Sequence, residues 1–344
     1  MVYHSLFDRI AEADPTFRRG FEQQKYQGTL DAVLDETGES LGSRNNESGI
    51  IQLALHPPRI IRAVVDYKVQ NPTAPEIEFL LRDAIQLGLN VYQGNPNTEK
   101  EIDELRRKII ETGNQSLLGR ELKQPSDQIT WNATNPARSR GTANNLVMST
   151  CGDPVLFVAL AHGGVAAGMD TYLRYCDKTG ENGSAFYVAR FSTQKLRDIS
   201  PQLSPTEISY LQEQLQGKKP VLFDEDRSSG KTLDRAQQFF DGSVFSQGRI
   251  IVVTNLNARA ELMNSGFGKQ LLEIDIYGFP DTKKHELITD LYLKKTITEK
   301  KHNNYIIEKI DSIDSIFPKD KRRKKGLFSE SEEPLSLASF LSQK

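Results

Sequence analysis

The stretch that decides the fold of this chain spans residues 220–233 and reads PVLFDEDRSSGKTL. An apolar run is followed by three acidic residues, a turn of small residues and the start of a helix pattern. A buried strand that ends in carboxylates and turns into a helix is typical of a parallel α/β sheet. At such a turn the backbone N–H groups and the helix N-terminus point at one spot and favour a phosphate. The stretch therefore predicts a sugar-phosphate site, with the carboxylates facing the sugar hydroxyls.

Outward from this stretch, apolar runs of strand length alternate with helix patterns. We expect strands at 155–161, 185–191, 221–223, 249–254 and 270–276. Between them we expect helices at 165–175, 205–216 and 233–240. Ser204 and Glu207 form a capping-box pattern at the start of the second of these helices. The alternation predicts an α/β fold with a parallel sheet covered by helices on both faces.

The regions on either side of the α/β segment differ from it in composition and pattern, which divides the chain into four parts. We expect an N-terminal mixed and helical region of unknown role at 1–145, an α/β domain at 146–282, a C-terminal helical extension at 283–318 and a disordered tail at 319–344. In the first region the patterns predict helices at 16–34, 74–87 and 97–112, a break at Pro57 and Pro58, and a loop at 124–145.

Composition excludes several classes of function. The chain has 344 residues, of which 37% are hydrophobic, and its net charge of −2 does not indicate a nucleic-acid partner. No apolar run approaches the roughly 18 residues of a membrane span, and the first residues lack the apolar stretch of a signal peptide. Cys151 and Cys176 are too few for a disulfide framework. We therefore expect a cytoplasmic protein with no membrane partner.

The central stretch closely resembles the phosphoribosyl pyrophosphate signature of type I phosphoribosyltransferases. That signature has four apolar residues, two acidic residues, three variable residues, then Ser or Thr, Gly, any residue and Thr. The resemblance makes Asp224 and Glu225 the acid pair that holds the ribose hydroxyls. It assigns the phosphate-binding turn to Asp226, Arg227, Ser228, Ser229, Gly230, Lys231 and Thr232. The lead-in from residue 215 is similar to the hypoxanthine-guanine branch.

A second segment carries the same resemblance, which covers about residues 150–280. After the apolar run 155–161, the residues Ala161, His162, Gly163 and Gly164 look like the family's pyrophosphate loop. The segment 192–204 would be the mobile catalytic loop, with Lys195 and Arg197 as candidate catalytic residues beside the acid pair. Following the last expected strand, the candidates for base binding are Tyr277 and Phe279. The candidate metal ligands are Asp224, Glu225 and Asp275.

The resemblance implies a type I phosphoribosyltransferase-like fold and a Mg²⁺-dependent activity. The enzyme would transfer ribose 5-phosphate from phosphoribosyl pyrophosphate to a nitrogenous base or related acceptor. Ser228 stands where purine-type members usually carry an Asp that assists proton transfer, whereas orotate-type members tolerate a hydroxyl residue there. The acceptor therefore stays open, and a homodimer is an assembly that the resemblance allows.

Other interpretations stay open at this point. The residues 229–232 also resemble the end of a P-loop, but a P-loop needs a glycine five residues before Gly230, where Glu225 stands. An ordinary acidic turn is the simplest alternative. A regulatory protein that keeps the phosphoribosyl site without turnover is another. In a third, residues 1–145 are a partner or substrate module and the enzyme acts on something larger than a free base.

Overall fold

The computed structural model describes residues 3–12, 25–44, 46–124, 132–180, 183–193, 198–226, 231–245 and 249–256, which belong to one compact unit. The helices in these ranges are α1 Leu6–Glu12, α2 Leu30–Gly42, α3 Glu47–Gln70, α4 Glu76–Gln93, α5 Thr98–Glu111, α6 Gln115–Leu118, α7 Pro136–Thr150, α8 Gly164–Thr179, α9 Pro205–Gln214 and α10 Lys231–Ser243. The strands are β1 Tyr26–Thr29, β2 Glu121–Gln124, β3 Val155–Ala161, β4 Ala185–Arg190, β5 Lys219–Asp226 and β6 Ile251–Leu256.

Four of the strands form a parallel sheet in the order β4-β3-β5-β6. The central strand β3 is buried at every residue, because neighbouring strands and helices on both faces exclude water from it. Its pairing with β5 runs from Val155 opposite Lys219 to Ala159 opposite Phe223. The expectation of an α/β protein with a helix-flanked parallel sheet is thus confirmed, whereas the type I phosphoribosyltransferase fold in particular stays a prediction.

The direction in which the chain adds strands reverses beside β3. From β3 the chain passes through α8 to β4 on one side, and then returns through α9 to β5 on the other side. Right-handed connections place α8 and α9 on opposite faces of the sheet. A crevice opens between the carboxyl ends of two such strands, and open α/β sheets bind their ligands at this position. In this protein the reversal lies between β3 and β5, so we expect the ligand crevice at the carboxyl ends of these two strands.

The N-terminal helices share a core with the sheet. Helices α3 and α4 pack against each other and contact both α8 and the edge strand β4. On α3, the buried Lys68 donates to Glu207 at the start of α9 and to the carbonyl of Gln202. A two-stranded antiparallel sheet, β1 with β2, completes this part of the unit. One hydrophobic core includes residues from both sides of the predicted boundary at residue 145, and that boundary stays a prediction.

The expected break at Pro57 and Pro58 is wrong, because α3 continues through both prolines. A proline inside a helix has no N–H to donate to the carbonyl four residues earlier. For Pro58 that carbonyl belongs to Ala54, and the hydroxyl of Tyr92 on α4 donates to it at 2.7 Å. The neighbouring helix thus supplies the hydrogen bond that the proline cannot make.

Two further expectations in the N-terminal region need correction. Residues 26–29 form β1 rather than the last part of a helix, and Thr29 then caps α2 by accepting from the N–H of Ala32. The expected loop at 124–145 is also wrong, since α7 begins at Pro136 and Asn135 caps it. The helices expected at 74–87 and 97–112 are confirmed as α4 and α5. The expected strand 270–276, the C-terminal extension and the tail lie outside the described residues.

The elements around the central stretch agree with their sequence patterns. The strands expected at 155–161, 185–191, 221–223 and 249–254 correspond to β3 to β6. Ser204 and Glu207 form the expected capping box at the start of α9, in which each side chain bonds to the other residue's backbone N–H. None of the helices within the described ranges combines the length and apolar character that a membrane span requires.

Candidate functional site

Two predicted segments meet at the crevice between β3 and β5. The acidic residues Asp224, Glu225 and Asp226 form the carboxyl end of β5, and α10 begins five residues later at Lys231. The adjacent strand β3 ends at Ala161, and its chain enters α8 at Gly164. Because β3 and β5 are parallel and paired, the acidic end and the short loop 161–164 lie side by side. The peptide bond between Ala161 and His162 is cis.

The carboxylate of Glu225 lies directly against the loop backbone at Gly163. A Cβ atom placed on Gly163 would come within 1.7 Å of Glu225 Oε1, so only a glycine fits without displacing that carboxylate. Glu225 is buried, with 8% of its surface exposed, whereas Asp224 is partly exposed and accepts from the N–H of Glu225 at 2.9 Å. The structure thus brings the predicted acid pair and the predicted loop together.

Helix α3 of the N-terminal region also reaches the loop. The side chain of Asp66 lies 2.8 Å from Nε2 of His162, measured from Oδ1. One turn earlier, Nε of Arg62 donates to the backbone carbonyl of His162 at 3.0 Å. Two more arginines surround the carboxylate, with Arg190 Nη1 at 3.4 Å and Arg120 Nη2 at 4.0 Å.

These neighbours keep Asp66 ionised. Burial on its own raises the pKa of the Asp66 carboxyl, since desolvation disfavours the charged form. The hydrogen bond with His162 and the charges of Arg190 and Arg120 act in the opposite direction and leave the pKa below its ordinary value. Asp66 is therefore an anion that joins the loop after β3 to the end of β4.

Ser192 and Asp198, which follow β4, are hydrogen-bonded to each other, and Thr193 contacts the start of α10. The N–H of Ser192 donates to Oδ2 of Asp198, whose other oxygen lies 3.6 Å from Nη2 of Arg190. The hydroxyl oxygens of Thr193 and Thr232 are 2.9 Å apart. Thr232 is the last residue of the predicted phosphate turn, so the expected catalytic segment begins next to that turn.

The remaining predicted site residues lie outside the described part of the chain. These are Lys195, Arg197, Arg227, Ser228, Ser229, Gly230, Asp275, Tyr277 and Phe279. Lys231 begins α10, but its side chain also lies outside the description. Among the described residues there is no group of three or more His, Cys, Asp or Glu side chains that could hold a metal ion.

Sequence reasoning missed five charged residues from other elements that contact the loop or are linked to it through Asp66 and Arg190. They are Arg62, Asp66, Arg120, Arg190 and Asp198. The available signal was the four-residue spacing of Arg62 and Asp66, which puts them on one face of a helix. The break expected at Pro57 and Pro58 concealed that helix.

Comparisons with known proteins identify no relatives. No family model matches the chain, and neither the curated proteins nor the solved structures contain a significant match. A function for this protein therefore rests on the geometry and chemistry of its own residues.

Proposed function

We propose that this chain binds phosphoribosyl pyrophosphate in the crevice between β3 and β5 and transfers its ribose 5-phosphate group to a nitrogenous base. The observation that carries this proposal is the contact of Glu225 with Gly163 at the point where the strand order reverses. It places a carboxylate suited to sugar hydroxyls against a glycine loop, at the edge of the sheet where open α/β proteins bind their ligands. The order of segments along the chain also resembles that of type I phosphoribosyltransferases.

Each part of the crevice has a role in this proposal. Asp224 and Glu225 accept hydrogen bonds from the ribose hydroxyls, and charge-assisted bonds of this kind are stronger than neutral ones. The turn 226–232 leads into α10, whose N-terminal N–H groups favour the 5-phosphate. The loop 161–164 faces the pyrophosphate. Lys195 and Arg197 are the proposed cations of the catalytic segment, which would exclude water when it closes.

The residues present fit a Mg²⁺ ion that is held jointly with the substrate. Mg²⁺ is commonly bound by one or two carboxylates together with substrate phosphates rather than by a complete protein cage. Asp224 and Glu225 supply those carboxylates in the crevice, and Asp275 is a further proposed ligand. When bound, the ion neutralises charge that develops on the departing pyrophosphate. Tyr277 and Phe279 are proposed to stack on the base.

A regulatory protein that binds the same ligand without turnover is the second candidate. The sequence observation that favours it is Ser228, because a hydroxyl group cannot assist proton transfer as a carboxylate would. Release of pyrophosphate from phosphoribosyl pyrophosphate, measured over a panel of nitrogenous bases, separates the two. Binding without release by any base would favour the regulatory function.

The donor site is tested with the double substitution Asp224→Asn and Glu225→Gln. Each lost charge-assisted hydrogen bond is worth roughly 1.5–3 kcal/mol, so affinity for phosphoribosyl pyrophosphate should fall at least tenfold. Isothermal titration calorimetry in the presence of Mg²⁺ measures the change. The matched control carries Glu213→Gln and Asp241→Asn, which remove the same charge from exposed helix positions. Unchanged affinity in a folded double variant would remove the site from consideration.

A further inference from the structure

A single residue of the loop, His162, is held at two points by one helix. Arg62 binds its backbone carbonyl, while Asp66, one turn later on α3, binds its imidazole ring. The two contacts restrict both the path of the loop and the orientation of the side chain. Neither contact comes from the sheet or from the helices that connect its strands.

Asp66 is suited to this role because several elements converge on it. His162 comes from the loop after β3, Arg190 from the end of β4, and Arg120 from the segment between α6 and β2. An ionised carboxylate among these donors fixes their positions relative to one another. These contacts fix the backbone of His162, which precedes Gly163 in the chain, and the Glu225 carboxylate lies against Gly163.

We propose that Asp66 and Arg62 are positioning residues that hold the loop 161–164 in its ligand-binding conformation. The N-terminal helices are then a working part of the site. The identity of the ligand rests on the proposed function, but the holding of the loop does not. The proposed function assigns the pyrophosphate to the loop 161–164 and the 5-phosphate to the turn after β5, so the effect of Asp66 and Arg62 should be confined to ligands that carry pyrophosphate.

The first experiment needs no ligand. It compares hydrogen–deuterium exchange of peptides covering residues 161–165 in the parent, Asp66→Ala, Asp66→Asn and Arg62→Met. Loss of a contact worth about 1.4 kcal/mol should raise exchange roughly tenfold in Asp66→Ala and Arg62→Met. Asp66→Asn should show a smaller rise, since an amide oxygen can still accept a hydrogen bond. The control is Asp83→Asn, which breaks an ion pair with Lys108 between α4 and α5. Exchange equal to the parent in both Asp66→Ala and Arg62→Met overturns the proposal.

The second experiment compares two ligands by calorimetry in the presence of Mg²⁺. Asp66→Ala should bind phosphoribosyl pyrophosphate at least tenfold more weakly, a change of about 1.4 kcal/mol. Its affinity for ribose 5-phosphate should change less than about twofold, as expected for a distant, independent contact. Equal losses for the two ligands would indicate general damage to the crevice and would overturn the positioning role. If the parent binds neither ligand, the proposed function fails, while the exchange experiment still decides whether α3 holds the loop.

Discussion

At the scale of the residue, Gly163 decides where a carboxylate sits. Its backbone has φ of −64° and ψ of −43°, a conformation that any residue can adopt. Gly163→Ala should therefore fold, but its methyl group would occupy the space of Glu225 Oε1 and force that carboxylate away from the loop. We expect the affinity for phosphoribosyl pyrophosphate to fall roughly tenfold, through one misplaced charge-assisted hydrogen bond. Calorimetry on the purified variant gives the answer.

The control for this substitution is Gly38→Ala on α2. No heavy atom lies within 4 Å of the Cβ position at Gly38, so the added methyl group meets open space. Affinity should stay at the parent value, and the free energy of unfolding should rise by up to about 1 kcal/mol through the better helix propensity of alanine. If Gly163→Ala also kept the parent affinity, the Glu225 carboxylate would have no part in binding.

At the scale of the element, the continuity of α3 depends on a hydroxyl group from α4. Burial and the nearby Asp170 raise the pKa of Tyr92 well above its ordinary value, so its hydroxyl stays protonated and donates to Ala54. Tyr92→Phe leaves that buried carbonyl without its hydrogen bond and should lower the free energy of unfolding by roughly 1–3 kcal/mol. In a Pro58→Ala background the helix regains its own N–H donor to the Ala54 carbonyl. Tyr92→Phe should then lower the free energy of unfolding by less than about 1 kcal/mol.

A double-mutant cycle measured by urea unfolding gives the coupling between these two positions. We expect the two substitutions to be clearly non-additive, because they act on the same carbonyl. If the two changes in the free energy of unfolding add to within about 0.5 kcal/mol, Tyr92 does not replace the hydrogen bond to Ala54 that Pro58 cannot make.

The elements that the sequence predicted correctly are those with local signals. A buried central strand such as β3 is a continuous apolar run, and α9 carries its own capping box. Helix α7 was missed because its buried face includes small polar residues, among them Ser139, which accepts from the side chain of Asn255 on β6. Strand β1 was missed because the residues of β2 that pair with it lie 92 to 98 positions away in the chain, from Thr29 with Glu121 to Tyr26 with Gln124.

The same distinction applies to the candidate site. The acid pair and the glycine loop could be recognised because each lies within a short, continuous motif. The contacts of Asp66 with His162 and of Arg62 with the same residue span 96 and 100 positions, so no local pattern indicates them. They depend on α3 passing the edge of the sheet, which only the fold reveals.

At the scale of the whole molecule, a buried histidine makes stability depend on pH. His56 on α3 accepts at Nδ1 from Arg59, and its Nε2 lies 3.0 Å from Glu36 on α2, with the ring of Tyr26 against it. Burial and the charge of Arg59 lower the pKa of His56 to about 3. Below about pH 6.5 the unfolded chain binds a proton that the folded protein does not, so stability falls as the pH falls.

We expect the free energy of unfolding to fall by at most about 1.4 kcal/mol per pH unit from this group between pH 6.5 and pH 4.5. Asp66, whose pKa is lowered in the folded protein, adds to the loss of stability only below about pH 4. In His56→Gln the slope between pH 6.5 and 4.5 should decrease, and His4→Gln, at an exposed position, is the control for the removal of a histidine. Urea unfolding across this pH range measures the slope of the free energy of unfolding in the parent and in both variants. Identical slopes in all three proteins would contradict a neutral His56.

The covering of β4 also has a consequence for how copies of this protein can assemble. Helices α3 and α4 contact this strand, and its last residue, Arg190, is bridged by Gln202, whose carbonyl accepts from Lys68. An uncovered outer strand is a template on which further chains add and grow into fibrils. At the end of β4 the bridge to Gln202 occupies that template, and the packing of α3 and α4 against the strand should further disfavour strand addition. Damage to the α3–α4 pair would therefore be expected to promote aggregation in addition to weakening ligand binding through the loop that α3 holds.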